Sequence, residues 1–230
     1  MIGAVLAAAL LAAAPGAKPP VLLTPADLDP ARVLPPPPAA GSPQAIAELA
    51  ELHAAEVARS AADEADARRD GDTKNATIFT VVLGPAFDLD KLPATARLMA
   101  LVRASEKAVV DQGKDEFRRA RPYAVDAALH SCKRNDDPLS SYPSGHTSMA
   151  FSMGETLARL VPERAPALLA RAARYGQSRI VCGQHFRSDV AAGQLLGGLI
   201  VEQLMAKPDF QAAFADARRE LVAAGIAAQS

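Results

Sequence analysis

Three short stretches of this 230-residue chain concentrate side chains that could hold an anion and attack it. The first, GKDEFRRARPYAVD over 113–126, places Lys114, Arg118, Arg119 and Arg121 within eight positions. Such a run is by itself an ordinary solvated helical face. Pro122 sets it apart. The residue before a proline is pushed out of helical geometry, so a helix is expected to end at or near Arg121, with that guanidinium at its terminus. The second stretch, SYPSGHTSMAF over 141–151, sets Pro143 and Gly145 in a tight turn ahead of a helical pattern. Backbone N–H groups of Ser144, Gly145 and His146 would then open a helix N-terminus, a ready anion site, with the Ser144 hydroxyl as a further donor. His146 there is either a simple surface residue or, beside a bound phosphate, a proton donor to a leaving oxygen. The third, GQSRIVCGQHFRSDV over 176–190, carries Arg179, able to grip phosphate oxygens bidentately, and then His185 and Asp189. Residues four apart share a helical face. Asp189 could therefore take the proton of one imidazole nitrogen and leave the other as a nucleophile of fixed tautomer. Taken singly, this too is a common surface pair.

The elements that must position these groups read as helices. Ser42 with Pro43 caps a helical pattern running through SPQAIAELAELHAAEVARSAADEADARR, with His53 inside it as a packing residue. Further helices are expected from Leu92 to about Gln112, ending at Gly113, and from His146 to Val161, where Met149, Met153 and Leu157 form a core stripe. Pro162 opens another to about Val181. A buried apolar helix follows from about His185 to about Met205, and a last amphipathic one covers about Asp209 to Ala224. No repeat and no strand pattern stands out. The architecture expected is all-α, a single-domain helical bundle.

Composition agrees with this and narrows the function. Half the residues are hydrophobic, only 4% are aromatic and none is Trp, a mixture that favours helix over strand. A net charge of −1 argues against a nucleic-acid partner. Residues 1–17, MIGAVLAAALLAAAPGA, read as a secretory signal, although no Lys or Arg precedes the apolar run. Residues 18–41 hold a proline-rich arm. Eight of the eighteen prolines lie between Lys18 and Pro38, which excludes helix and suggests an extended segment lying on the body of the protein. Residues 42–230 form the remaining domain, with no membrane span among them. Cys132 and Cys182 are either a disulfide, favoured if the chain is exported, or a pair of buried thiols. Their spacing does not suit a metal site.

Together, Lys114-x6-Arg121-Pro122, Pro143-Ser144-Gly145-His146 and Ser178-Arg179-x5-His185-x3-Asp189 resemble the three-part signature of the type 2 phosphatidic acid phosphatase and vanadium haloperoxidase superfamily. The wording YGQSRIVCGQHFRSDV, the VLPPPP near the start and the placement of both cysteines are similar to bacterial class A non-specific acid phosphatases. The likeness runs from about Val33 to about Gln203. It implies that Lys114, Arg121, Arg179, Ser144 and Gly145 cradle a phosphoryl group. It further implies that His185 attacks phosphorus to give a phosphohistidine, that Asp189 orients His185, and that His146 protonates the leaving alkoxide and then activates water. The ligands implied are small phosphate monoesters, and inorganic phosphate or vanadate, with no cofactor and no metal. The implied location is periplasmic or secreted. Cys132–Cys182 would tether the loop between Arg179 and His185, and a dimer or larger assembly is compatible with the resemblance. Three alternatives stand beside it: a vanadate-dependent haloperoxidase, separable by bromination assay; a membrane lipid phosphatase, which needs spans this chain lacks; and a non-catalytic anion-binding helical protein. Tyr123 could contact a leaving group or be packed, and His130 has no assigned role.

Overall fold

Proline starts half of the helices, because its fixed φ and missing N–H cost nothing at a first helical position. The computed structural model describes residues 18–229, which contain ten α-helices and no strand. They are α1 (Pro30–Val33), α2 (Pro43–Ala58), α3 (Ala61–Asp72), α4 (Thr80–Leu83), α5 (Pro93–Phe117), α6 (Pro122–Val125), α7 (Gly145–Leu160), α8 (Ala165–Val181), α9 (Arg187–Met205) and α10 (Pro208–Ala223). Proline leads α1, α2, α5, α6 and α10. The all-α reading holds. The segment read as a secretory signal lies outside the described residues.

Several boundaries differ from the sequence reading, each for a local reason. The long pattern after Ser42 is two helices, because Ser60 and Asp63 form a reciprocal capping box that starts α3 afresh. Helix α5 does not stop at Gly113. It runs four residues further, to Phe117, with Arg118 in the left-handed conformation (φ 42°) as its cap. Gly113 is buried mid-helix, where a side chain would meet Pro30 and Pro143. Arg121 therefore does not end a long helix; it precedes the short α6. A 3₁₀ turn at Pro162–Arg164 comes before α8. The prolines of the arm do not exclude helix either, since Pro30 opens the single turn of α1, capped by Asp29.

Helix α7 is the central strut, packed between α8 and α9, with α5 across it. Met149, Met153, Leu157 and Leu160 are all buried, as a stripe at helical spacing requires. Helix α9 lies so close to the start of α7 that a Cβ on Gly193 would sit 2.5 Å from the Ser144 carbonyl oxygen. The Ser144 N–H donates to the Asp189 carbonyl at 3.0 Å, pinning the two helix starts together. The arm also belongs to the core: Leu23, Leu28 and Leu34 are buried within it. Contacts from distant parts of the chain hold the arm down. The Leu22 N–H donates to Ser105 Oγ at 3.0 Å, Lys207 pairs with Asp27 at 2.6 Å, and the Tyr142 hydroxyl donates to the Pro35 carbonyl.

Candidate active site

The N-terminus of α7 forms the floor of the site. Ser144 caps it, its Oγ accepting from Thr147 N–H and Thr147 Oγ1, so the Ser144 hydroxyl proton stays free to be donated outward. The unpaired N–H groups of the first turn point the same way.

Three cations converge on this floor from three different elements. Lys114, in the last turns of α5, brings Nζ to 3.4 Å from where a Gly145 side chain would begin. Arg121 is 5% exposed; its Nη1 donates to the Gln184 carbonyl and its Nη2 to the Ser140 carbonyl, both at 3.0 Å. Arg179, near the end of α8, is also 5% exposed, and its buried Nε has no hydrogen-bond partner among the described residues. Its guanidinium fills the space beside Gly71, where α3 ends. Nearby carboxylates are engaged with other cations, Glu48 and Asp189 with Arg119 and Asp70 with Arg171. Burial weakens the hold of all three cations on their protons, and repulsion from Arg121 adds to this at Lys114 and Arg179. Burial pushes Arg179 down to about 10 and lowers Lys114 and Arg121 as well. Buried positive charge without a counter-ion is costly, and an anion would relieve it.

Two histidines face this cationic cluster. His185 precedes α9, which starts at Arg187, so it does not share a helical face with Asp189 as the spacing suggested. Its Nδ1–H donates to the Ser141 carbonyl at 2.8 Å, whereas Asp189 Oδ2 is 3.5 Å away. A backbone carbonyl thus fixes the tautomer, leaving Nε2 unprotonated and 3.2 Å from Arg121 Nη1, from which it accepts. Burial first, then Arg121, Arg179 and Lys114, hold His185 well below the ordinary imidazole value. His146, in the first turn of α7, places Nε2 3.0 Å from the Gly71 carbonyl. With that nitrogen donating, Nδ1 is left to exchange a proton. Burial and Arg179 lower this imidazole too.

Asp189 organises more of the site than its spacing to His185 suggests. Fully buried, it accepts from Ser141 Oγ at 2.6 Å, from Phe186 N–H at 2.8 Å and from Arg119 Nη1 at 2.6 Å. Burial pushes its carboxyl up to about 6, against the pull of Arg119. Arg119 also donates to Ser188 Oγ at 2.6 Å, meets Glu48 at 3.1 Å and lies over the Phe186 ring at 4.3 Å. Arg119, Ser141, Glu48 and the Gly71 carbonyl are the participants that sequence reasoning missed. Arg119 stood in the cation run and Ser141 at the head of the turn motif, but nothing in their spacing separated them from their neighbours.

The remaining candidates are placed as follows. Cys132 and Cys182 form a disulfide with Cα atoms 4.9 Å apart, and the Cys132 N–H donates to the Cys182 carbonyl at 3.0 Å. Tyr123 is packed: it is 5% exposed and its hydroxyl accepts from Asn135 N–H at 2.9 Å. His146 lines two cavities, one of about 140 Å³ shared with Arg179 and the disulfide, the other of about 150 Å³ shared with Lys114 and Gly145. His185 lies behind their walls at 1% exposure.

A helical body carrying this cluster of cations and histidines defines the class, and the chain belongs to the PAP2 superfamily, whose family profile matches residues 95–209. That span contains every candidate phosphate-binding and catalytic residue. Among curated relatives, the acid phosphatase of Zymomonas mobilis is 32% identical over 209 residues, covering 88% of this chain and 79% of that protein. The non-specific acid phosphatase of Providencia stuartii is 28% identical over 200 residues, 84% of this chain and 81% of that protein. That of Salmonella typhi is 34% identical over 152 residues, 64% of this chain and 60% of that protein. Among solved structures, a transmembrane PAP2-type phosphatidylglycerolphosphate phosphatase from Bacillus subtilis superposes with a TM-score of 0.52 at 21% identity, covering 69% of this chain and 82% of that one. Aquifex aeolicus LpxE gives a TM-score of 0.51 at 23% identity, covering 68% and 93%. These two share the fold. In this chain, no helix among the described residues is long and apolar enough to cross a membrane.

Proposed function

We propose that this protein is an exported acid phosphatase that hydrolyses phosphate monoesters of broad leaving-group structure through a phosphohistidine on His185. One observation carries the reading. Two buried arginines and the half-buried Lys114, none in an ion pair with a described residue, gather about an imidazole whose Nε2 carries no proton. The phosphoryl oxygens would be held by Lys114, Arg121 and Arg179, with the Ser144 hydroxyl and the Gly145 N–H completing the cradle. The His185 Nε2 lone pair forms a bond to phosphorus as the ester P–O bond breaks, and the leaving oxygen takes a proton from Nδ1 of His146, which the bound phosphoryl anion favours in its imidazolium form. A water then gives its proton back to His146 and attacks phosphorus. The N–P bond breaks, its electron pair returns to Nε2, and phosphate leaves.

The cations would stabilise the charge that a divalent metal handles in other phosphotransferases. Metal independence is accordingly part of the proposal, and it predicts unchanged turnover in EDTA. Export is supported by the apolar first seventeen residues and by the disulfide, which suits an oxidising compartment.

The direct test is a rapid quench after mixing with a radiolabelled monoester. The quench should use alkaline detergent, because a phosphorus–nitrogen bond on histidine is labile in acid. Label should be trapped on the wild-type chain and absent from His185→Ala. His146→Ala should slow both formation and breakdown of the labelled species. Normal turnover by His185→Ala would refute the mechanism.

A further inference from the structure

We propose that the site favours monoesters whose leaving group carries a second anion, a phosphate or a carboxylate, and that Lys74 is the residue that reads it. The proposal rests on the phosphatase reading and goes beyond it by naming the substrate class.

His146 protonates the departing oxygen in that reading, so the leaving group must occupy space next to this imidazole. Two cavities adjoin it, and only Lys74 and His146 line both. Whichever cavity the leaving group enters, it lies beside Lys74. This lysine follows α3, is exposed, and forms no ion pair among the described residues. Other basic side chains on the same walls already face a carboxyl group. Arg68 pairs with Glu64, Arg103 with Glu106 and Lys107 with Asp111. Of the lining side chains outside the phosphate cradle, Lys74 and Lys133 therefore keep their charge free, opposed by Asp72 at the rim.

The walls offer little else for recognition. Neither cavity is lined by Phe, Tyr or Trp, so no aromatic face is present to stack a nucleobase. Glu106 lines the second cavity with its Oε1 buried and unpartnered, and Arg103 occupies the other oxygen. Charge is thus the strongest discriminating feature, and its free component is positive. The effect of Lys74 reaches the site itself, since it adds to the forces that keep His146 deprotonated.

The test uses two matched pairs of substrates. 3-Phosphoglycerate differs from glycerol 3-phosphate by a carboxylate, and fructose 1,6-bisphosphate differs from fructose 6-phosphate by a phosphate. Wild type should show a kcat/KM ratio of about five in favour of the anionic member of each pair, the size expected of one exposed ion pair. For the bisphosphate this exceeds the statistical advantage of two scissile groups. Lys74→Gln should bring the first ratio close to unity, Lys74→Arg should preserve it, and Asp72→Asn should raise it. High salt should collapse it by screening. Equal kcat/KM within both pairs for the wild type would overturn the proposal while leaving the phosphatase reading intact. A preference that survives Lys74→Gln would overturn the role of Lys74. Failure to hydrolyse any of the four esters would refute the phosphatase reading itself.

Discussion

Arg119→Gln should be far more damaging than a substitution at a partly exposed arginine, and its damage should depend on pH. Arg119 separates two buried carboxylates, Asp189 at 0% and Glu48 at 6% exposure, and it is the cation paired with each of them. Removing one member of a buried ionic cluster costs about 3–5 kcal/mol, because the remaining charges stay buried without compensation. Asp189 supplies the pH signature. Burial has already raised its carboxyl from 3.8 to about 6, so its contribution to stability is greatest in acid and falls as pH rises through that interval. Without Arg119 its pKa rises further, and the fall continues to higher pH. The gap between wild type and variant should therefore be widest at pH 7 and shrink by roughly half or more at pH 4.5, where Asp189 is protonated in both folded proteins. Urea unfolding at the two pH values measures this directly, with Glu48→Gln in a double-mutant cycle to isolate the shared term. A loss under about 1 kcal/mol at both pH values, or a loss that does not change with pH, would refute the argument.

Three other outcomes follow from the same geometry. Cys182→Ser opens a crosslink between residues 50 apart in sequence, and should cost about 4 kcal/mol and about 10 °C in Tm, read by calorimetry against the oxidised wild type. Gly71→Ala places a methyl group against the Arg179 guanidinium, and should lower kcat/KM by about tenfold with little change in Tm, which paired kinetics and melting curves would show. Inorganic phosphate should bind with net proton uptake near pH 6. His146 is held neutral by burial and by Arg179, and a bound anion opposes that. Titration calorimetry in buffers of different ionisation enthalpy counts the protons, and an uptake of zero would contradict the assignment of His146 as proton donor.

Much of the site was legible because its chemistry is concentrated in short motifs. Lys114, Arg121, Arg179, Ser144, Gly145, His146, His185 and Asp189 are the residues the structure draws to the start of α7. What could not be read was how each is held. The i, i+4 spacing of His185 and Asp189 suggested a hydrogen-bonded pair, but α9 starts two residues after His185, and the Ser141 carbonyl accepts from Nδ1–H with Asp189 left at 3.5 Å. A carbonyl acceptor has no side-chain signature. The role of Arg119 depends on Glu48 from α2, more than seventy positions away, and such pairing becomes visible only once the chain has closed. Helix limits failed where a local device overrode periodicity. The capping box at Ser60 split one pattern in two, and Gly113 served close packing against Pro30 and Pro143 instead of termination.

The arm has a bearing on assembly that its extended backbone conceals. Its anchors include Ser105, Tyr142 and Lys207, the last lying 180 positions beyond its partner Asp27. The earliest part of the described body to be synthesised thus has its last named anchor only once Lys207, just ahead of α10, has emerged. Burial of Leu23, Leu28 and Leu34 is consequently a closing event, and until then the growing chain is short of three core leucines.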